Sequence, residues 1–380
     1  MKTIEIFDTT LRDGEQAPGN SMSPQVKVDL FQQIATTGVD NVEAGFPSAS
    51  PADFEAAAAI AASPRDVTVT AFCRATVSDI DCAVAALGTA PRTQLEVLVT
   101  GSEVHAEHKR RMTLAEIERE TKEATAYARS LGVTDLSLAF EDSTRGSLDF
   151  LHRVVDIGVS AGATTVVIPD TVGQATPESM AALVRAVRSW TGPEVQVSLH
   201  CHNDLGLALA NSLAGLAAGA DVVQTTFCGI GERTGNTAIE ELTAVLHYKS
   251  AELGVRSRVD PRRMREVCEH VADALGLRIW KHKPVIGRYA FATAAGVHAS
   301  GIANDPITYE YVEPGLFGRT REVVLSRTSG RANLRMRLTE LGMDFTADRL
   351  NSMYQRFVSD PDPQRFNDDA AFRELYASAV

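Results

Sequence analysis

Val195-Gln196-Val197-Ser198-Leu199-His200-Cys201-His202-Asn203-Asp204-Leu205-Gly206-Leu207 is the stretch on which the fold turns. Its first five residues alternate apolar and polar side chains, the pattern of a strand. Side chains two apart on a strand share a face, so His200 and His202 aim together while Cys201 points the other way. Neighbouring ligands of a metal ion need that convergence. Taken alone, a histidine pair on a strand is more often ordinary structure than a metal site, and the rest of the chain decides.

Seven further strand-like runs surround it, at residues 4–7, 42–45, 67–72, 95–99, 136–140, 165–168 and 222–226. Helical stretches alternate with the eight runs, at 24–37, 51–62, 79–87, 113–130, 148–161, 177–190, 207–218 and 237–253. Gly38, Gly132, Gly162 and Gly219 each fall just past a helix end, where a left-handed cap favours glycine. Eight strand–helix units predict an α/β fold, a closed (β/α)8 TIM barrel over residues 1–255. A doubly wound open sheet is the alternative. Beyond residue 255 the rhythm changes: helices are expected at 261–275, 331–341 and 347–358, a Gly- and Ala-rich segment at 284–301, and a polar tail after Asp360-Pro361-Asp362-Pro363. Residues 256–380 thus read as a small, mainly helical C-terminal appendage.

The composition, 44% hydrophobic and 23% charged over 380 residues, is that of a soluble globular protein. A formal net charge of -12 argues against a nucleic-acid partner, although a local basic patch can hold a phosphate-bearing ligand. No apolar run reaches the roughly 18 residues of a membrane span. The N-terminus enters strand pattern at once, without a signal peptide. Five scattered cysteines (73, 82, 201, 228 and 268) with no Cys-x-x-Cys fit free thiols in a reducing cytoplasm.

In TIM barrels catalytic groups sit at the C-terminal ends of the strands. Those ends carry Arg12, Asp13, Glu15 and Gln16, then Glu43, Arg74, His105 and His108, Glu141 and Asp142, Asp170 and Thr171, His200 and His202, and lastly Glu232, Arg233 and Asn236. Such a ring over an apolar barrel points to catalysis. Asp13, His200 and His202 make a two-histidine, one-carboxylate set with open positions, suited to magnesium, manganese or zinc. A 2-oxo acid would chelate through its keto oxygen and carboxylate, and Arg12 could stabilise the developing oxyanion. A local Arg12–Asp13 salt bridge is the competing reading. Glu141 is either a general acid or base, or a structural partner of Arg145. Gly229-Ile230-Gly231-Glu232-Arg233-Thr234-Gly235-Asn236 is not the dinucleotide pattern; it reads as a tight loop that admits substrate to the backbone.

Three motifs carry a resemblance. Residues Phe7-Asp8-Thr9-Thr10-Leu11-Arg12-Asp13-Gly14-Glu15-Gln16, His200-Cys201-His202-Asn203-Asp204-Leu205-Gly206 and the glycine-rich loop resemble signatures of the 2-isopropylmalate synthase and homocitrate synthase family. The likeness runs from Thr3 to about Leu334. It implies a Claisen condensation of acetyl-CoA with a small 2-oxo acid, then thioester hydrolysis to a 2-substituted malate. It also implies Asp13, His200, His202 and Asn236 around the metal, Arg12, His105 and Thr171 on substrate, and Glu141 as a catalytic carboxylate. His298 and Tyr309 match residues that the family's appendage brings to the active site from a partner subunit, which implies a homodimer. The chain ends without the family's leucine-sensing domain, so feedback through that domain is not expected. Ala139 stands where the family usually has Ser, Arg288 where it has Glu, and Ser326-Arg327-Thr328-Ser329-Gly330-Arg331 where it has Gly-Lys-His-Ser-Gly-Lys. The acid-to-base exchange at Arg288 raises an acceptor with an extra anion, such as phosphonopyruvate (a 2-phosphonomethylmalate synthase) or 2-oxoglutarate; drift on an exposed loop is the plain alternative. A lyase of the hydroxymethylglutaryl-CoA type and a catalytically silent relative are the competing functions.

Overall fold

The computed structural model describes residues 1–64 and 66–379. Eight parallel strands close into a barrel in chain order: β1 (Glu5–Asp8), β2 (Asn41–Gly45), β3 (Thr68–Arg74), β4 (Thr93–Thr100), β5 (Leu136–Glu141), β6 (Thr165–Asp170), β7 (Gln196–Cys201) and β8 (Val222–Thr225). Pairing of Glu5 with Val222 and of Asp8 with Thr225 joins the last strand to the first, so the open-sheet alternative falls. The strands are buried on both faces, and their short apolar runs are interrupted by buried polar residues such as Glu43, Thr70, Glu96, Ser137, Ser198 and Gln224. A two-residue parallel pairing of Lys2–Thr3 with Val255–Arg256 lies before β1, with Lys2 N donating to Gly254 O at 3.0 Å.

The helices that cover the barrel are α1 (Pro24–Ala35), α2 (Pro51–Ala62), α3 (Val77–Leu87), α4 (Leu114–Ser130), α5 (Leu148–Ser160), α6 (Pro177–Trp190), α7 (Ala208–Ala217) and α8 (Ile239–Leu253). Their starts are set locally. Thr113 and Glu116 form a capping box at α4, and Pro sits in the first turn of α1, α2 and α6, where its missing N–H costs nothing. The barrel interior is unusually polar at its N-terminal end. Asn41 donates to Gln94 (3.1 Å), Thr70 donates to Asn41 (2.8 Å), and Gln196 donates to Glu5 (3.0 Å). Those bonds satisfy groups that would otherwise be buried at a cost of about 1–3 kcal/mol each.

The chain divides into two compact units, Met1–Arg278 and Ile279–Val380, rather than at residue 255. Helix α9 (Met264–Leu275) belongs to the barrel unit because its apolar stripe of Met264, Val267, Cys268, Val271 and Ala272 is buried there, packed on α1 and the turn at Phe227–Gly229. The second unit holds α10 (Gly296–Asn304), α11 (Arg331–Glu340), α12 (Ala347–Ser359) and α13 (Asp369–Ser378), with a short parallel pairing of Ala292–Thr293 and Glu322–Val323. The expected polar tail is structured: Asp368 caps α13 by accepting from Ala370 and Ala371, and Phe366, Phe372 and Leu375 join a core with Leu334, Leu338, Met353 and Phe357. No helix among the described residues is long and apolar enough to cross a membrane.

Phe357 is fully buried, 5.9 Å from the Phe366 ring centre. F357A should cost about 3–5 kcal/mol, read as lost hydrogen-exchange protection of the α12 amides; unchanged protection would mean this core does not hold the second unit.

Candidate active site

The turn after β1 carries Arg12 and Asp13 to the barrel mouth. Thr9 O accepts from the backbone N–H groups of Arg12 and Gly14, and Thr9 Oγ1 accepts from Asp13 N at 3.3 Å. The Asp13 carboxylate is buried and fully engaged: Oδ2 meets Arg12 Nη1 at 2.8 Å, and Oδ1 accepts from Glu232 N (3.0 Å) and Asn236 Nδ2 (2.9 Å). Arg12 in turn gives its Nε to Glu43 Oε2 at 2.9 Å and lies over the Phe72 ring. The Arg12–Asp13 salt bridge therefore exists, and it exists inside the candidate metal site. Two glycines make room for it. A Cβ on Gly231 would sit 2.1 Å from Asn236 Nδ2 and 2.7 Å from Asp13 Oδ1, and one on Gly235 would strike Gly229 O. The glycine-rich loop thus wraps a carboxylate rather than a phosphate.

His200 and His202 share a face, as the strand period requires. Their Nε2 atoms are 3.1 Å apart, and they stand 3.5 and 3.9 Å from Asp13 Oδ2. One ligand atom from each of the three buried residues lies within 4.8 Å of the others. Cys201 points outward to Ser212 of α7, and burial pushes its thiol up to about 12. Burial, with His200 alongside, lowers His202 to about 3, so it is neutral. Burial works against ionising Asp13, but the Arg12 guanidinium and His200 hold it well below the usual carboxylate range. A charged carboxylate beside a neutral imidazole is the state a divalent cation requires. Asn236, whose Nδ2 donates to Asp13, has its Oδ1 buried without a hydrogen-bond partner. These donors fit a divalent ion.

Of the other expected residues, Gln16, Arg74, Glu141, Thr171, Glu232 and Arg233 line the same cavity of about 310 Å³, with Phe72, Leu98, Ala139 and Val167 as its apolar wall, whereas Glu15, Glu43, His105, His108, Asp142, Asp170 and Asn236 are not part of its lining. Thr171 Oγ1 accepts from Asp142 N at 2.8 Å, which leaves its O–H free to donate. Glu141 does not pair with Arg145. Its partners are Lys109 Nζ (2.7 Å) and His105 Nδ1 (3.2 Å), while Arg145 meets Asp142 Oδ1 at 2.7 Å. Asp142 has φ 68°, a left-handed turn that sends its own carboxylate to Arg145, and four-residue spacing carries no helical meaning at a strand end. Asp170 is structural, accepting from the backbone N–H groups of Gln174 and Ala175. His298 and Tyr309 belong to the second unit, where their rings lie 4.3 Å apart beside a cavity of about 390 Å³.

The family model described as HMGL-like matches residues 3–271, and the one described as homocitrate synthase post-HMGL domain-like matches residues 285–364. The chain is 40% identical over 359 residues to the 2-isopropylmalate synthase of Acidimicrobium ferrooxidans, covering 94% of this chain and 69% of that one. It is 38% identical over 368 residues to the 2-isopropylmalate synthase of Heliobacterium modesticaldum, covering 96% and 72%. The chain belongs to the 2-isopropylmalate synthase and homocitrate synthase family. That is the family the three motifs pointed to, and its members are enzymes. Among solved structures, the HMG-CoA lyase of Brucella melitensis superposes with a TM-score of 0.62 at 22% identity, over 73% of this chain and 100% of the lyase, a likeness of fold.

Sequence reasoning missed two residues of the cavity. Glu96 in β4 and Gln224 in β8 line the cavity from inside the barrel and are hydrogen-bonded to each other at 3.0 Å. The available signal was a charged and an amide side chain within the apolar runs Leu95-Glu96-Val97 and Val222-Val223-Gln224. Burial and neighbouring Glu43 push Glu96 up to about 7. Lys109, which holds Glu141, comes from an irregular turn of helix, His105–Arg110, that ends on left-handed Arg111.

Replacing His202 by Gln should reduce turnover by more than about 100-fold with the fold intact, because a ligand and no core group is lost; steady-state assays and circular dichroism read this, and near-normal turnover would overturn the assignment. A second outcome follows from charge. Between about 3 and the ordinary 6.5 of an unfolded histidine, the unfolded chain binds the extra proton, so His202 makes stability rise with pH and fall as acid is added. In urea unfolding of metal-free protein at pH 4.5, 5.5 and 7, H202Q should lose stability less steeply toward acid than the parent; equal slopes would contradict a buried neutral His202.

Proposed function

We propose that the protein is an acetyl-CoA-dependent 2-alkylmalate synthase that condenses acetyl-CoA with a small 2-oxo acid and hydrolyses the thioester, releasing a 2-substituted malate and CoA. The observation that carries this is the buried Asp13–His200–His202 set beside Arg12, opening on a cavity walled by Phe72, Leu98, Ala139 and Val167. A divalent ion (magnesium, manganese or zinc) held by Asp13, His200 and His202, with Asn236 beside them, would supply Lewis acidity to the oxo-acid carbonyl. Arg12 stays cationic because Glu43 and Asp13 outweigh its burial, and its guanidinium offsets charge developing on the carbonyl oxygen. Thr171 donates its O–H to the oxo-acid carboxylate, with His105 at the same rim. Glu141, restrained by Lys109, is the carboxylate that takes or returns a proton.

The acceptor we favour has an uncharged, short alkyl side chain, as 2-oxoisovalerate does. The cations lining the barrel cavity are already matched: Arg12 with Asp13 and Glu43, Arg74 with Asp79, and Arg233 with Asp204. Arg288, which raised the anionic acceptor, pairs with Glu322 inside the second unit. His298 and Tyr309 are assigned to the active site of a partner subunit in a cytoplasmic homodimer. Exposed Val297, Ile307 and Tyr311 around them support a surface made to be covered. The lyase reading is weaker, because the HMG-CoA lyase aligns over its whole length to 73% of this chain, whereas the second unit matches a domain described for homocitrate synthase.

Release of free thiol from acetyl-CoA, screened over 2-oxoisovalerate, 2-oxoglutarate and phosphonopyruvate with magnesium, manganese or zinc, tests this. The expected result is metal-dependent release with 2-oxoisovalerate preferred. Preference for phosphonopyruvate would overturn the acceptor assignment, and no release with any acid would overturn the synthase.

A further inference from the structure

Gln224 makes one hydrogen bond to each side. Its Oε1 lies 2.7 Å from His200 Nδ1, and its Nε2 donates to Glu96 Oε2 at 3.0 Å. Glu96 Oε2 also accepts from Ser137 Oγ at 3.0 Å. His200, Gln224, Glu96 and Ser137 are all buried, so bulk water does not compete for these positions. The direction of the chain of bonds is fixed at its far end. With Glu96 ionised both of its oxygens only accept, and only the amide nitrogen of Gln224 can satisfy Oε2. The amide oxygen is then left facing His200. That oxygen has no proton to give, so His200 Nδ1 carries a hydrogen, and Nε2 is the nitrogen left to offer a lone pair to a metal ion. Nε2 is the atom turned toward Asp13 Oδ2 and His202 Nε2.

We propose that Gln224 is the positioning residue of His200: anchored by Glu96 and Ser137, its amide sets both the tautomer and the ring plane that let Nε2 bind a divalent ion. The inference rests on the metal reading of Asp13, His200 and His202. An imidazole without such a partner rotates about its last side-chain bond and exchanges tautomers, and a proton on Nε2 removes the ligand outright. Glu96 and Gln224 come from strands on opposite sides of the barrel, so the connection crosses the interior directly beneath the site.

The test is Mn²⁺ binding to metal-free protein by calorimetry, which needs no substrate. Q224M keeps the length and bulk of the side chain without the acceptor; Q224E restores an acceptor opposite Nδ1. Q224M should bind Mn²⁺ about 10–100-fold more weakly, and Q224E should return to within about threefold of the parent. Q224M leaves buried Glu96 and His200 Nδ1 each short of a partner, so its metal-free melting temperature should fall by a few degrees while the protein stays folded. Equal Mn²⁺ affinity in the parent and Q224M overturns the inference alone, as does Q224E binding no better than Q224M. A parent chain that binds no Mn²⁺ overturns the metal reading and this inference with it. Should Q224M not fold, ¹⁵N imidazole spectra of the parent decide, with His200 identified by the signal missing in H200Q: an Nδ1–H tautomer is expected, and Nε2–H would overturn the proposal.

Discussion

The carboxylate of Asp13 is the group the rest of the barrel mouth must accommodate. It is buried and ionised, a combination that costs several kcal/mol unless the charge is matched and its lone pairs are filled. Arg12 supplies the match, and the Glu232 N–H and Asn236 amide fill the other oxygen. Arg12 is itself buried and needs Glu43, whose Oε2 also accepts from Thr9 Oγ1. Two carboxylates and one guanidinium sum to one negative charge, pooled where the two histidines converge. That net charge beside two imidazoles fits a divalent cation. The shape of the turn after β1 and the glycines of the loop after β8 follow from giving that carboxylate its donors.

The barrel was legible because its strands are short apolar runs and its helices end on glycines, signals that act within a few residues of themselves. Once eight such units are counted, the rule that function gathers at the strand ends places Asp13, Thr171, His200 and Asn236 around one mouth. Glu96 and Gln224 were not legible. A polar residue in a strand interior acquires meaning only from its partner, and this partner is 128 residues away across the barrel. Likewise the choice of Glu141 between Arg145 and Lys109 was made by the left-handed backbone at Asp142, which no spacing rule contains. The tail misled for a different reason. It opens on Asp360-Pro361-Asp362-Pro363, yet Phe366 in the turn before α13, with Phe372 and Leu375 three apart on that helix, is enough to bind it to a small core.

A polar interior gives this barrel a different balance from one packed with aliphatic side chains. Its hydrogen bonds add little net stability, since each replaces one to water. They do impose direction: amides and carboxyls in the bore can be satisfied in few arrangements. Orientation can therefore pass from the strands to a side chain at the mouth without a loop being involved. On the proposed function, the wall of Phe72, Leu98, Ala139 and Val167 can vary in size while the residues beneath it stay fixed, which separates the choice of substrate from the machinery of the reaction.

The pairing of Lys2–Thr3 with Val255–Arg256 means that the chain just before β1 and the chain just after α8 lie within one backbone hydrogen bond of each other. The barrel is therefore a ring along the chain as well as in space. A short peptide could join its two ends, and the gene could be opened instead at any exposed loop on the face away from Asp13. The order in which the eight units are synthesised is then a matter of history, and circular permutation becomes a practical way to attach new partners without touching the mouth.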